Sequence, residues 1–112
     1  MNLDEKQVWI DALLSGTYQQ GLSYLNAGGQ FCCLGVKCEI DVMDGLMLSK
    51  QRGGRYEFEY AELDGEDFRA NYPSPETYSR WGLNRYQVEE LGQMNDTGKS
   101  FTEIAEWIRE NL

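Results

Sequence analysis

The side chains that could do chemistry in this chain are thiols, carboxylates and phenols, because it contains no histidine. That absence removes the commonest general base, every Ser-His or Cys-His pair and every zinc site that needs an imidazole. The three cysteines are Cys32, Cys33 and Cys38. Adjacent thiols lack the two-residue gap that lets both sulfurs reach one zinc, and a fourth ligand is missing. An odd thiol count without a secretory signal also argues against a disulfide framework. The expectation is three buried small hydrophobes, with no metal and no cofactor. Carboxylate pairs abound, but 19 acids in 112 residues produce pairs by chance. Neither Glu57 with Glu59 nor Glu89 with Glu90 has a feature that would raise a pKa, so glycosidase-type chemistry is not expected. The chain reads as a binder and not as an enzyme.

Two features suit binding. The first is Thr97-Gly98-Lys99-Ser100 at the start of a predicted helix. Backbone N–H groups, a lysine and a hydroxyl there can hold a small anion. The Gly-Lys-Ser run lacks the upstream glycine of a P-loop, since Gln93 stands five residues before Gly98. A nucleoside triphosphatase is therefore not expected. Tyr18, Tyr24, Tyr72, Tyr78 and Tyr86 fall outside the clear core stripes, and tyrosines beside Gln19, Gln20 and Asn95 could stack on a flat ligand and bond its edge. The candidate ligand residues are Tyr18, Gln20, Asn95, Asp96, Lys99 and Ser100. The second feature is an acidic window. Between Arg55 and Arg69 lie Glu57, Glu59, Glu62, Asp64, Glu66 and Asp67. Such a concentrated negative field could imitate a nucleic-acid backbone and occupy a basic surface on a partner protein. The plainer use is solubility and protection of an exposed strand edge.

The formal net charge is −9, from 19 acidic and 10 basic residues, which opposes binding to a long phosphate backbone. The last two predicted helices form a helical hairpin like the first part of a DNA-binding helix-turn-helix. No recognition helix follows, and outward Glu103, Glu106 and Glu110 would repel phosphates, so direct DNA binding is not expected. No apolar run approaches the ~20 residues of a membrane span. The acidic, polar N-terminus is neither a signal nor a transit peptide, so the cytoplasm is the expected compartment.

The elements that must position these residues are legible in outline. Asn2 followed by Glu5 reads as a helix cap with a reciprocal carboxylate, and Trp9, Ile10, Leu13 and Leu14 form the apolar face that Gly16 ends. Asn26-Ala27-Gly28-Gly29 reads as a turn between short strands near Ser23–Leu25 and Gln30–Phe31. Residues 32–43 are ambiguous. Leu34, Val36, Cys38, Ile40 and Val42 alternate as in a strand, while Cys33, Val36, Ile40 and Met43 form a helical stripe that Gly35 weakens. Tyr56, Phe58 and Tyr60 alternate with Glu57 and Glu59, predicting one aromatic and one acidic strand face. Gln51-Arg52-Gly53-Gly54 would join that strand to Leu46–Lys50 in a β-hairpin. Ser74-Pro75, Asn84 with Gln87, and Ser100 with Glu103 then start three helices. Phe101, Ile104, Ala105, Ile108 and Leu112 give the last its apolar stripe. The predicted fold is one small α+β domain, mainly helical, with one β-hairpin and a C-terminal helical hairpin.

Four blocks, in order, carry a resemblance. They are Trp9-Ile10-Asp11-Ala12-Leu13 with Ser15-Gly16, Tyr18 and Gln20; Phe31-Cys32-Cys33-Leu34-Gly35-Val36 with Cys38; Trp81-Gly82-Leu83; and Met94-Asn95-Asp96 with Gly98, Ser100-Phe101, Ile104-Ala105 and Ile108. Their arrangement resembles a widespread group of small, mostly uncharacterised phage and prophage proteins. In that group the position of Lys37 is commonly apolar, which suits a helix over 32–43 and tips the reading that way. No catalytic residue carries over. The resemblance implies a viral origin, and with it a counter-defence role. One form is an oligomeric sponge for a nucleotide-derived immune signal in the host cell. The alternative is an acidic inhibitor of a host defence protein, using Glu57, Glu59, Glu62, Asp64, Glu66 and Asp67.

Overall fold

The computed structural model describes residues 1–52 and 56–112. Among these residues, five helices and two small sheets form one α+β domain. Helix α1 (Leu3–Leu14) starts where the Asn2 side chain accepts from the Asp4 and Glu5 amides. The expected reciprocal bond from Glu5 is not made, because its carboxylate reaches across to Lys37 Nζ at 2.9 Å. Leu14 is exposed, so the buried face of α1 is Trp9, Ile10 and Leu13.

Next come β1 (Gln19–Gln20), β2 (Asn26–Ala27) and β3 (Gln30–Phe31), in sheet order β1-β3-β2. Strand β3 is the expected Gln30–Phe31, its antiparallel partner lies at Asn26–Ala27 instead of the expected Ser23–Leu25, and β1 adds a third, parallel strand. The β2–β3 turn is Gly28-Gly29 alone, both with positive φ (62° and 83°), as a two-residue hairpin loop requires. Asn26 and Ala27 therefore belong to the strand and not to the turn.

Helix α2 (Cys33–Met43) settles the ambiguity of 32–43 in favour of the helix. It is buried nearly all round, so apolar residues occur on both parities and imitate a strand. Gly35, which weakens a helix in isolation, is required here. The Leu25 carbonyl packs directly on the helix, and a Cβ at Gly35 would overlap it.

Strands β4 (Met47–Gln51) and β5 (Phe58–Glu62) pair antiparallel, Met47 opposite Glu62 and Gln51 opposite Phe58. Gly53 and Gly54 of the expected turn lie outside the described residues. The predicted aromatic and acidic faces do not hold at the start of the strand, where Tyr56 is exposed and Glu57 is buried. Residue 57 precedes β5 and forms a bridge with Ala27, which turns it inward. Further along, Tyr60 and Ala61 are both buried, so both faces of β5 are covered.

Helices α3 (Pro75–Arg80), α4 (Arg85–Asp96) and α5 (Phe101–Asn111) complete the chain. Both α4 and α5 carry full capping boxes, Asn84 with Gln87 and Ser100 with Glu103, each cap contributing about 1 kcal/mol. Helix α5 packs on α1 and α4, and α2 packs on α1 and α4. At the centre the Trp9 and Trp81 rings lie 6.2 Å apart, with Leu34, Leu91, Ile104 and Ile108 fully buried around them. Each large apolar side chain so buried contributes roughly 1.5–3 kcal/mol. Cys32, Cys33 and Cys38 are free thiols inside this core.

Candidate functional site

Five of the six expected ligand residues meet where β1 faces the α4–α5 turn. Asn95 is completely buried. Its Oδ1 accepts from Gln20 Nε2 (3.0 Å) and the Cys33 amide (3.1 Å), and its Nδ2 donates to Gly21 O (2.8 Å). Gln20 Nε2 also donates to Lys99 O at 2.7 Å, and Gln20 Oε1 accepts the Phe101 amide at 3.1 Å. Asp96 Oδ1 accepts from the Ser23 amide at 2.9 Å. Two of the backbone donors on which an anion site depended, the Phe101 and Glu103 amides, are thus engaged inside the chain. At the start of α5 the Phe101 amide goes to Gln20 and the Glu103 amide to Ser100 Oγ, while the Glu103 carboxylate folds back on Ser100. Lys99 lines a shallow groove with Glu103, Glu106 and Glu110, surroundings that oppose a phosphate. Tyr18 stands apart, edge-on to Phe31 at 5.2 Å. This cluster works as a polar latch tying β1, α2, α4 and α5 together.

The acidic window does not form one exposed face. Glu57 is buried. Glu62 accepts from Arg80 and from the Thr77 hydroxyl. Asp67 grips Arg69 through two bonds of 2.7 and 3.0 Å, and the guanidinium holds its carboxyl below the usual range. Glu59 is half-buried, and Asp64 and Glu66 are exposed.

A buried ion network, which sequence reasoning missed, runs beside that window. Lys37 and Asp41 are each 1% exposed, four residues apart on α2. Lys37 Nζ lies 2.6 Å from Asp41 Oδ1 and 5.2 Å from the Trp81 ring centre. Asp41 Oδ2 accepts from Arg80 and from Trp81 Nε1, both at 2.7 Å. Arg80 continues to Glu62, and its pKa is raised by these carboxylates. The legible signal was Lys37 and Asp41 at i, i+4 within an apolar stripe.

The remaining candidate is a groove of about 530 Å³ between α3, α4 and the loop before α3. Arg69, Tyr72, Tyr78 and Arg85 line it over a floor of Pro73 and Val88. Tyr72 is held there because its ring lies against Gly92 of α4, where any Cβ would collide with it. Burial pushes the Tyr72 phenol up, helped by Asp96. Arg69 and Arg85 are exposed and, among the described residues, ion-paired only with exposed acids, Asp67 and Glu89, the second of which also lines the groove. Exposed pairs are worth about 0–1 kcal/mol, so both guanidiniums can exchange a carboxylate for a better anion at little cost. The groove presents two Arg forks and two phenol rings in a chain with nearly twice as many acids as bases.

Burial raises all three thiols, Cys32 to about 11. They are protonated and inaccessible, the opposite of an activated nucleophile. Among the described residues no group of Cys, Asp and Glu has the geometry to hold a metal ion, and no helix is long and apolar enough to cross a membrane. No curated protein and no solved structure matches the chain. A family model described as a domain of unknown function (DUF8296) matches residues 1–112, and the protein belongs to that family.

Proposed function

We propose that this protein is a non-enzymatic, phage-type accessory protein that sequesters a small nucleotide-like ligand as a counter-defence measure, and that the ligand lies in the Arg69–Tyr72–Tyr78–Arg85 groove. The observation that carries the reading is the convergence of two weakly engaged arginines and two tyrosines on one groove. Guanidinium forks suit phosphate oxygens, and phenol rings offer faces for a flat base. The latch residues Gln20, Asn95, Asp96, Lys99 and Ser100 then shape the fold and do not touch the ligand. A groove open to solvent covers one side of a ligand, and a second protomer would cover the other. The acids elsewhere on the surface repel long nucleic acids without obstructing a single small anion.

The test is isothermal titration against mononucleotides, cyclic nucleotides and ADP-ribose-type compounds. One class should bind. Hydrogen bonds to charged groups are worth about 1.5–3 kcal/mol. Arg69→Ala and Arg85→Ala should therefore each weaken binding roughly tenfold to a hundredfold, while Lys99→Ala changes nothing. No heat with any member, at protein concentrations far above micromolar, would overturn the proposal.

A further inference from the structure

We infer that the cleft where α1, α2 and α3 meet, continuing past Leu46 to Leu63, is a docking surface for a Lys/Arg-rich amphipathic segment of a partner protein. It is independent of the nucleotide-like ligand. Helix α3 separates the two places, since Pro75 and Tyr78 line the arginine–tyrosine groove while Glu76 and Arg80 line this cleft. Two depressions of about 450 Å³ each share Leu46 and Arg80 and so form one surface. Its apolar residues include Val8, Leu46 and Leu63, which are 51%, 46% and 51% exposed. Large aliphatic side chains left half in water on one surface mark a contact site.

The charge around them selects the occupant. Seven carboxylates line the surface against two cations, Lys37 and Arg80. Both cations are already ion-paired, to Glu5 and Asp41 and to Asp41 and Glu62. Asp4, Asp44, Asp64 and Glu76 are exposed and make no ion pair among the described residues. A nucleic acid, an anionic lipid surface or a second copy of this −9 chain would each meet repulsion here. A segment with apolar anchors flanked by Lys and Arg meets an apolar floor and four unneutralised carboxylates. The floor is set before binding, because Asp41 is held from Trp81, Lys37 and Arg80 at once. A preformed surface loses little freedom on association.

A fluorescent Leu/Lys amphipathic helical peptide of roughly 14 residues, about 21 Å long, is the probe, followed by anisotropy. Binding should weaken at least tenfold in Leu46→Asn/Leu63→Asn, both exposed positions. Asp44→Lys/Glu76→Lys should weaken it similarly and flatten its salt dependence. Glu106→Lys/Glu110→Lys, which removes the same charge from α5, should leave it unchanged. Circular dichroism checks that each variant is folded. The inference is overturned if the α5 control weakens binding equally, if a Leu/Glu peptide binds as well, or if the Leu/Lys peptide does not bind. It is also overturned if sedimentation shows that the Leu46→Asn/Leu63→Asn changes abolish a self-association of the wild type, since the occupant is then a second copy.

Discussion

Asn95→Ala separates a structural role for the polar latch from a ligand-binding one. The side chain is fully buried, and its removal strands two buried backbone groups, the Cys33 amide and the Gly21 carbonyl. Each orphaned group costs about 1–3 kcal/mol, so the expected loss is roughly 2–6 kcal/mol. That is a large share of the 5–15 kcal/mol typical of a domain. Urea denaturation followed by circular dichroism reads it directly. With a slope of about 2 kcal/mol per molar, the midpoint should fall by roughly 1–3 M with the slope unchanged. Asn95→Asp keeps the acceptor for Cys33 and Gln20 but loses the donor to Gly21 O. It also sets a second carboxylate near Asp96 Oδ1, 3.3 Å from the present amide nitrogen. Its deficit at neutral pH should shrink on acidification, because a protonated carboxyl regains a donor. A loss below about 1 kcal/mol in Asn95→Ala would refute the latch and return Asn95 to the ligand candidates.

Asp41→Ala should cost about 3–5 kcal/mol, because it leaves Trp81 Nε1 without its buried acceptor and Lys37 with Glu5 alone among the described carboxylates, whereas Lys37→Met should cost less, because Asp41 keeps Arg80 and Trp81 Nε1; paired melting curves check both. Gly92→Ala should displace Tyr72 and weaken ligand binding in titration, with the hydrogen bonds at Asn95 preserved by NMR. Alkaline unfolding should begin near pH 9, because folded thiols with raised pKa hold protons that the unfolded chain releases. The Cys32 contribution is complete below its ordinary value of 9.0 and is lost as pH rises towards about 11; the difference, about 2 pKa units, is worth roughly 3 kcal/mol. Circular dichroism melts at a series of pH values would show this, and Cys32→Ala should make stability fall less steeply between pH 9 and 11.

Local signals made the helices legible. Asn84, Ser100 and Ser74 start helices α4, α5 and α3 as their side-chain chemistry dictates. What the sequence left open depended on contacts between distant segments. Gly35 argues against a helix until the Leu25 carbonyl is seen to need the space. Glu5 completes a capping box on paper, but Lys37, brought close only by folding, takes its carboxylate. The acidic window looked uniform because sequence spacing records charge and not partners. Folding buries Glu57 and commits Glu62 and Asp67. The candidate groove was invisible for a similar reason. Arg69, Tyr72, Tyr78 and Arg85 have no motif spacing, and only the packing of α3 against α4 gathers them. At the α5 start the reverse happened. The residues typical of an anion site are present, but Gln20 arrives from β1 and takes the Phe101 amide.

The central claim is that a small anionic ligand enters the arginine–tyrosine groove and not the α5 start. A heteronuclear NMR titration with the nucleotide panel tests it most directly. Amide and side-chain shifts should move at Arg69, Tyr72, Tyr78 and Arg85, with residues 95–101 unchanged. Shifts concentrated at residues 95–101, or no shifts with any member of the panel, would contradict it.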